Sequence, residues 1–154
     1  MNNLEELIAT AKKLRAPGGC PWDAEQTHQS LTKYLIEESY ELVDAIESGS
    51  REQILEELGD VLYQIVFHSD LAQSGSLGER FDIQDVAALS TKKMKGRHPH
   101  VFGTPEELER YKAETGDEVM QNWDAHKQRE KPERESVLDL SLIHISEPTR
   151  LRRI

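Results

Sequence analysis

HQSLTKYLIEESYELVDAIESGSREQILEELGDVLYQIVFHSDLAQ, residues 28–73, decides the fold. From His28 to about Glu47 the apolar residues Leu31, Leu35, Leu42, Ala45 and Ile46 recur on one arc of a helix. Ser48-Gly49 stops that helix. Ser50 then reads as an N-cap, with Gln53 three positions on in a capping-box pattern, and a second long helix runs to about Gln73. Its expected core stripe is Ile54, Leu58, Val61, Leu62 and Ile65, with Glu57 flanking it. Two acidic clusters sit inside these helices, Glu37-Glu38-x-x-Glu41 and Glu57-x-x-Asp60. Residues three apart share a helix face, so Glu38/Glu41 and Glu57/Asp60 each form a carboxylate pair. Glu38 falls within the apolar arc, between Leu31 and Ala45, and Glu41 lies on its edge beside Tyr34. Asp60 lies further round its helix. A solvated acidic face is the ordinary explanation in a chain with 29 acidic residues. A carboxylate inside an apolar stripe is costly unless a cation or strong donors meet it, and the second pair on the next helix favours a cation. Magnesium prefers such hard oxygen ligands and bridges to phosphates. The first expectation is metal-assisted chemistry on a phosphate ester or anhydride.

Outward from this hairpin the punctuation predicts more helices and no strands. An amphipathic segment covers about Asn3 to Arg15 and ends at the breaker cluster Ala16-Pro17-Gly18-Gly19-Cys20-Pro21, expected as loop. Ser74-Gly75-Ser76-Leu77-Gly78 is a second loop, after which Asp82 caps a helix reaching about Lys95. Thr104-Pro105-Glu106-Glu107 opens a further helical region to about Gln128, with a break expected near Thr115-Gly116. Helices joined by short loops predict an all-α bundle. The helix over residues 51–73 is apolar nearly all round, adding Leu55, Tyr63, Val66 and Phe67 to its stripe, so a second subunit is expected to cover part of it.

Bulk properties narrow the function. At 154 residues one domain with a real core is expected. A net charge of −10 argues against a nucleic-acid surface. One cysteine, Cys20, permits no internal disulfide and suggests a reducing compartment. The amino terminus carries acids where a signal peptide would need a cationic start, and no apolar run is long enough to span a membrane. The expectation is a cytoplasmic protein. Against the acidic background, Lys93 and Arg97 stand four apart amid Lys92, Lys95, His98 and His100. That cluster suits an anionic ligand, or equally the C-terminal dipole of its own helix.

Cys20-Pro21-Trp22-Asp23-x-Glu25-Gln26-Thr27, the two acidic motifs, and Arg97-His98-Pro99-His100-Val101-Phe102 together resemble the MazG family, over about Leu4 to Lys131. The resemblance implies an all-α fold, a MazG-like helical bundle whose four-helix core is completed by dimerisation. It implies hydrolysis of ribo- or deoxynucleoside triphosphates to monophosphate and pyrophosphate, by metal-activated water attacking the α-phosphate. The cofactor implied is magnesium, with manganese able to replace it, and the assembly a homodimer or higher homo-oligomer. By position, Glu38, Glu41, Glu57 and Asp60 would hold metal, Glu37 would stand behind these ligands or help orient water, and one carboxylate would take the water's proton, with Glu37, Glu38 and Glu41 as the catalytic set. Lys93 and Arg97 fall on the family's phosphate-contacting basic pair. Trp123 and Lys127 match a Trp-x-x-x-Lys pattern that contacts nucleotide. Trp22 would stack on a base or anchor its loop, and His98 and His100 would be phosphate donors or caps.

Other readings fit less well. A di-iron bundle needs two Glu-x-x-His motifs on facing helices, and only Glu25-x-x-His28 exists. No phosphate-binding glycine loop is present. The rival is a catalytically weak copy of the domain with a dimerising or regulatory role in a longer two-domain protein. The domain is expected over residues 1–135, followed by a tail, 136–154. From about Leu140 the run LSLIHISEPTRLRRI abandons the acidic, helical character and looks like a translated sequencing adaptor. Recovering the same codons from an independently cloned gene would refute that reading.

Overall fold

A computed structural model of the chain describes residues 2–120, 122 and 123. Seven helices are defined: α1 (Asn3–Arg15), α2 (Pro21–Glu25), α3 (His28–Ser48), α4 (Arg51–Gln73), α5 (Ile83–Arg97), α6 (Pro99–Phe102) and α7 (Pro105–Arg110). Residues 116–120 are helical again, and no strand occurs among the described residues. The chain is all-α, as its punctuation predicts. It divides into two compact units, one ending at Leu89 and the other starting at Ser90. The tail from residue 136 lies outside the described residues.

Caps explain where the helices start. Asn2 accepts from the Glu5 amide while Glu5 reaches back to the Asn2 amide, and Thr104 and Glu107 repeat the exchange at α7. Asp82 accepts from the Gln84 and Asp85 amides at 2.7 and 3.2 Å. At α4 only half of the expected box forms. Ser50 accepts from the Gln53 amide, but the Gln53 side chain receives the Ser48 hydroxyl instead. Gly49, at φ +72°, closes α3 in the left-handed region that a Cβ disfavours, so the chain reverses within one residue of the helix end. That reversal makes α3 and α4 the dominant packed pair.

The breaker cluster is loop only as far as Cys20. Pro21 occupies the first position of the short α2, where its missing N–H costs nothing. α5 runs two residues past Lys95, and Pro99 starts the unforeseen α6 in the same way. The break in the last helical region covers 111–115, reaching the expected Thr115 but starting earlier, because α7 ends at Arg110 with Tyr111 as its cap.

The first unit's core is built from Leu31 of α3 with Phe67 and Leu71 of α4, flanked by Tyr34 and Tyr63. α1 packs across the C-terminal half of α4 through fully buried Ala11. There Arg15 pairs with Asp70 and lays its guanidinium 5.5 Å from the Phe67 ring centre. Phe67 is 1% exposed and meets Tyr63 edge-on. Phe67→Ala is therefore expected to lower stability by about 3–5 kcal/mol, read as a fall in the urea midpoint at unchanged slope.

α4 turns a different face inward from the one its stripe suggested. Gln64, Val66, Phe67, Ser69, Leu71 and Ala72 are buried, whereas Leu58, Leu62 and Ile65 are 51, 38 and 41% exposed. Periodicity cannot choose between faces of a helix that is apolar all round. α1 chooses by covering the C-terminal half. On α3, Leu31 and Ala45 are buried as expected, but Ile46 is exposed.

Candidate metal centre

The tight Gly49 turn brings the middle of α3 beside the first turns of α4. One carboxylate oxygen from each of Glu38, Glu41 and Glu57 lies within 4.8 Å of the others. Glu38 and Glu57 are half-buried, and Glu41 is exposed. The arrangement is electrostatically unrelieved. Burial raises the Glu38 pKa, and the charges of Asp60, Glu41, Glu57 and Glu37 raise it further. Glu57 is raised likewise, by desolvation and then by Glu41, Asp60 and Glu56. Glu57 Oε2 is buried with no hydrogen-bond partner, and no ion pair among the described residues reaches any of the three. Three converging carboxylates with an orphaned oxygen fit a hard divalent cation, whose charge would reverse the repulsion.

Asp60 is exposed and stands outside the converging set, although its charge is the largest acting on Glu38. Glu37 is exposed next to the set. An open recess beside it is lined by Glu41, Asp44, Ala45, Ser48, Gln53 and Glu57. The sequence did not mark Asp44 or Gln53 as lining this recess, Gln53 being expected only as a cap, though Asp44 continues the Glu38, Glu41 register by one more step of three.

Two aromatic side chains frame the α2 side of the hairpin. Trp22 is 49% exposed and meets Tyr34 edge-on at 5.6 Å, one helical turn before Glu38. Trp22 thus rests one ring edge against α3, with half its surface left open. The next residue, Asp23, is buried and accepts a long 3.4 Å hydrogen bond from the Tyr63 hydroxyl. Burial and the Asp23 charge push the Tyr63 pKa up to about 12, so the phenol stays protonated and keeps donating.

In the second unit, Lys93 is exposed on α5. The Arg97 guanidinium lies 5.4 Å from the Trp123 ring centre, and His98 meets the same indole edge-on at 4.9 Å. His98 Nδ1 is 2.6 Å from the Met94 carbonyl oxygen, which makes it a C-terminal cap of α5. Arg97 and Trp123, predicted separately, are thus neighbours. Lys127 lies outside the described residues.

Comparison with known proteins places the sequence in a family. The family model described as the MazG nucleotide pyrophosphohydrolase domain matches residues 26–102, the stretch holding all four predicted ligands with Lys93 and Arg97. The chain belongs to the MazG nucleotide pyrophosphohydrolase domain family. It is 50% identical over 99 residues to the nucleoside triphosphate pyrophosphohydrolase/pyrophosphatase MazG of Thermotoga maritima, covering 64% of this chain and 38% of that one. It is 37% identical over 153 residues to the nucleoside triphosphate pyrophosphohydrolase of Escherichia coli K12, covering 99% of this chain and 55% of that one. An uncharacterized 26.1 kDa protein of Streptomyces cacaoi is 50% identical over 136 residues, covering 88 and 52% of the two chains. The chain spans about half or less of the length of these curated relatives. No helix among the described residues is long and apolar enough to cross a membrane.

Proposed function

We propose that this chain hydrolyses nucleoside triphosphates to monophosphate and pyrophosphate. The observation that carries the reading is the convergence of Glu38, Glu41 and Glu57, with Glu57 Oε2 buried and without a donor. Glu38, Glu41 and Glu57 would hold a magnesium or manganese ion, with Asp60 joining from the next turn of α4. When bound, such an ion neutralises polyphosphate charge and lowers the pKa of water. The chain's own residues supply the rest. Glu37, or whichever ligand carboxylate has a free oxygen, takes a proton from the attacking water. Lys93 offers a point charge and Arg97 a planar fork to the phosphate oxygens, stabilising charge on the departing pyrophosphate. Trp123 would hold the Arg97 guanidinium, with Lys127 as a further contact. The open face of Trp22 would stack on the base.

The family's nucleotide pyrophosphohydrolase activity supports this reading, as does the acidic composition, which disfavours polymeric nucleic acid as substrate. The test is product stoichiometry with magnesium and a panel of ribo- and deoxynucleoside triphosphates. Equal release of monophosphate and pyrophosphate is expected. Orthophosphate with diphosphate as products would contradict the proposal.

We further propose that a second copy of the chain covers the open stripe of α4. Leu55, Leu58, Leu62 and Ile65 stand three or four apart, uncovered beyond the reach of α1. Gly59 lies along this stripe in mid-helix, and a Cβ added there would meet nothing within 4 Å in one chain. In a monomer Gly59→Ala would therefore stabilise α4 by about 1 kcal/mol through helix propensity alone. With a second helix seated on the stripe, the same methyl is expected to weaken the dimer. Sedimentation and thermal melting of G59A separate the two outcomes.

A further inference from the structure

Away from the carboxylates, two histidines forty positions apart meet head-on. His28 Nδ1 and His68 Nδ1 are 2.8 Å apart. The ring planes differ by 16° and the ring centres are 5.0 Å apart, so both nitrogens lie almost on the line joining the centres. The contact is thus an in-plane hydrogen bond between ring edges, which needs one N–H and one lone pair. It leaves no space for a cation between the nitrogens.

The neighbouring bonds decide which ring carries which proton. The Ser76 hydroxyl donates to the Leu71 carbonyl at 2.7 Å, so its oxygen is left to accept from His28 Nε2, 2.9 Å away. Neutral His28 then holds its proton on Nε2 and offers Nδ1 as acceptor. His68 must donate through Nδ1, and its Nε2 is a bare lone pair. That atom is buried with no partner, as the scheme requires, because a lone pair there loses less than a buried N–H would.

We propose that His28 and His68 form a proton-controlled latch, which when neutral ties the first turn of α3 to α4 and, through Ser76, to the turn after α4. A proton added to His68 Nε2 creates a buried cation whose N–H has no acceptor. A proton added to His28 Nδ1 displaces the His68 donor and breaks the contact. Uptake therefore opens the latch.

Surrounding charges do not rescue the protonated form. On the α1 side, Arg15 and Asp70 are committed to each other, and Lys12 is exposed. On the α2 side, Asp23 receives the Tyr63 hydroxyl, and Glu25 is exposed. Lys33 of α3 lies over the Tyr34 ring, and the turn 74–78 holds no titratable group. Burial, and then His28, lower the His68 pKa below 6.5. At His68 the unfolded chain therefore binds more protons than the folded one. The latch contributes fully above pH 6.5, and its contribution is lost as pH falls through the folded value.

Long-range nitrogen–proton NMR on the labelled chain tests this without mutation. At pH 7.5 the expected result is His28 as the Nε2–H tautomer and His68 as the less common Nδ1–H tautomer. His68 should titrate below 6.5, with faster amide exchange in the first turn of α3 as it does so. His68→Phe should flatten the acid side of the Tm-versus-pH curve. A His68 Nε2–H tautomer, a midpoint at or above 6.5, or equal acid slopes in the two proteins would overturn the proposal. The readouts need no substrate or metal, so they stand apart from the hydrolase assignment.

Discussion

Glu38→Gln is expected to do two opposite things: reduce nucleotide hydrolysis by about 10²–10³-fold or more, and raise the Tm measured without divalent cation. Glu38 lies half-buried among Asp60, Glu41, Glu57 and Glu37, all of which oppose its charge. The amide keeps the shape and removes one of the repelling charges, so the metal-free fold relaxes. The same change alters one of the three converging carboxylates proposed to hold the metal. Added magnesium should therefore stabilise the wild-type chain by mass action and leave the variant's Tm nearly unchanged. Differential scanning fluorimetry with chelator and with magnesium reads both signs in one experiment. A merely structural carboxylate would give the reverse, with a variant less stable than wild type and equally responsive to magnesium.

Leu62→Glu is expected to convert a dimer into monomers while leaving helicity intact. Leu62 sits mid-stripe between Leu58 and Ile65 on the part of α4 that α1 does not reach, and it is 38% exposed within one chain. An ionised carboxylate at the centre of a helix–helix contact is left buried without a partner. Such central contacts are worth about 2 kcal/mol or more, so the dimer Kd should rise at least ~30-fold. Sedimentation velocity over a concentration series checks it. If wild type and variant both sediment as monomers with equal Tm, the stripe is an ordinary exposed face and the assembly proposal fails.

The hairpin and its acids were legible because their signals are local. Gly49 and Ser50 mark the reversal, and Glu38 inside an apolar arc marks a carboxylate turned partly inward. Two turns of helix suffice to see either. What could not be read depends on partners distant in sequence. The inward face of α4 is set by α1, which no periodicity within residues 51–73 reveals. Gln53 does not return the Ser50 bond and instead lies 3.3 Å from the Ser48 hydroxyl, which donates more closely to the Ala45 carbonyl at 2.8 Å. The short helices α2 and α6 were missed for a different reason. Pro21 was taken as the end of a breaker cluster and Pro99 only as part of a motif, whereas a proline at the first helical position is a start signal. The His28–His68 contact joins positions that carry no shared pattern at all. Asp60 illustrates a middle case: its position further round the helix was visible, and the structure keeps its carboxylate outside the converging trio.

The site's chemistry is most directly tested by carrying out the reaction in water enriched in heavy oxygen, with magnesium and the wild-type chain. Attack at the α-phosphorus assisted by Glu38, Glu41 and Glu57 predicts one labelled oxygen in the nucleoside monophosphate and none in the released pyrophosphate. Label in pyrophosphate or in orthophosphate, or hydrolysis that persists undiminished in Glu38→Gln, would contradict it.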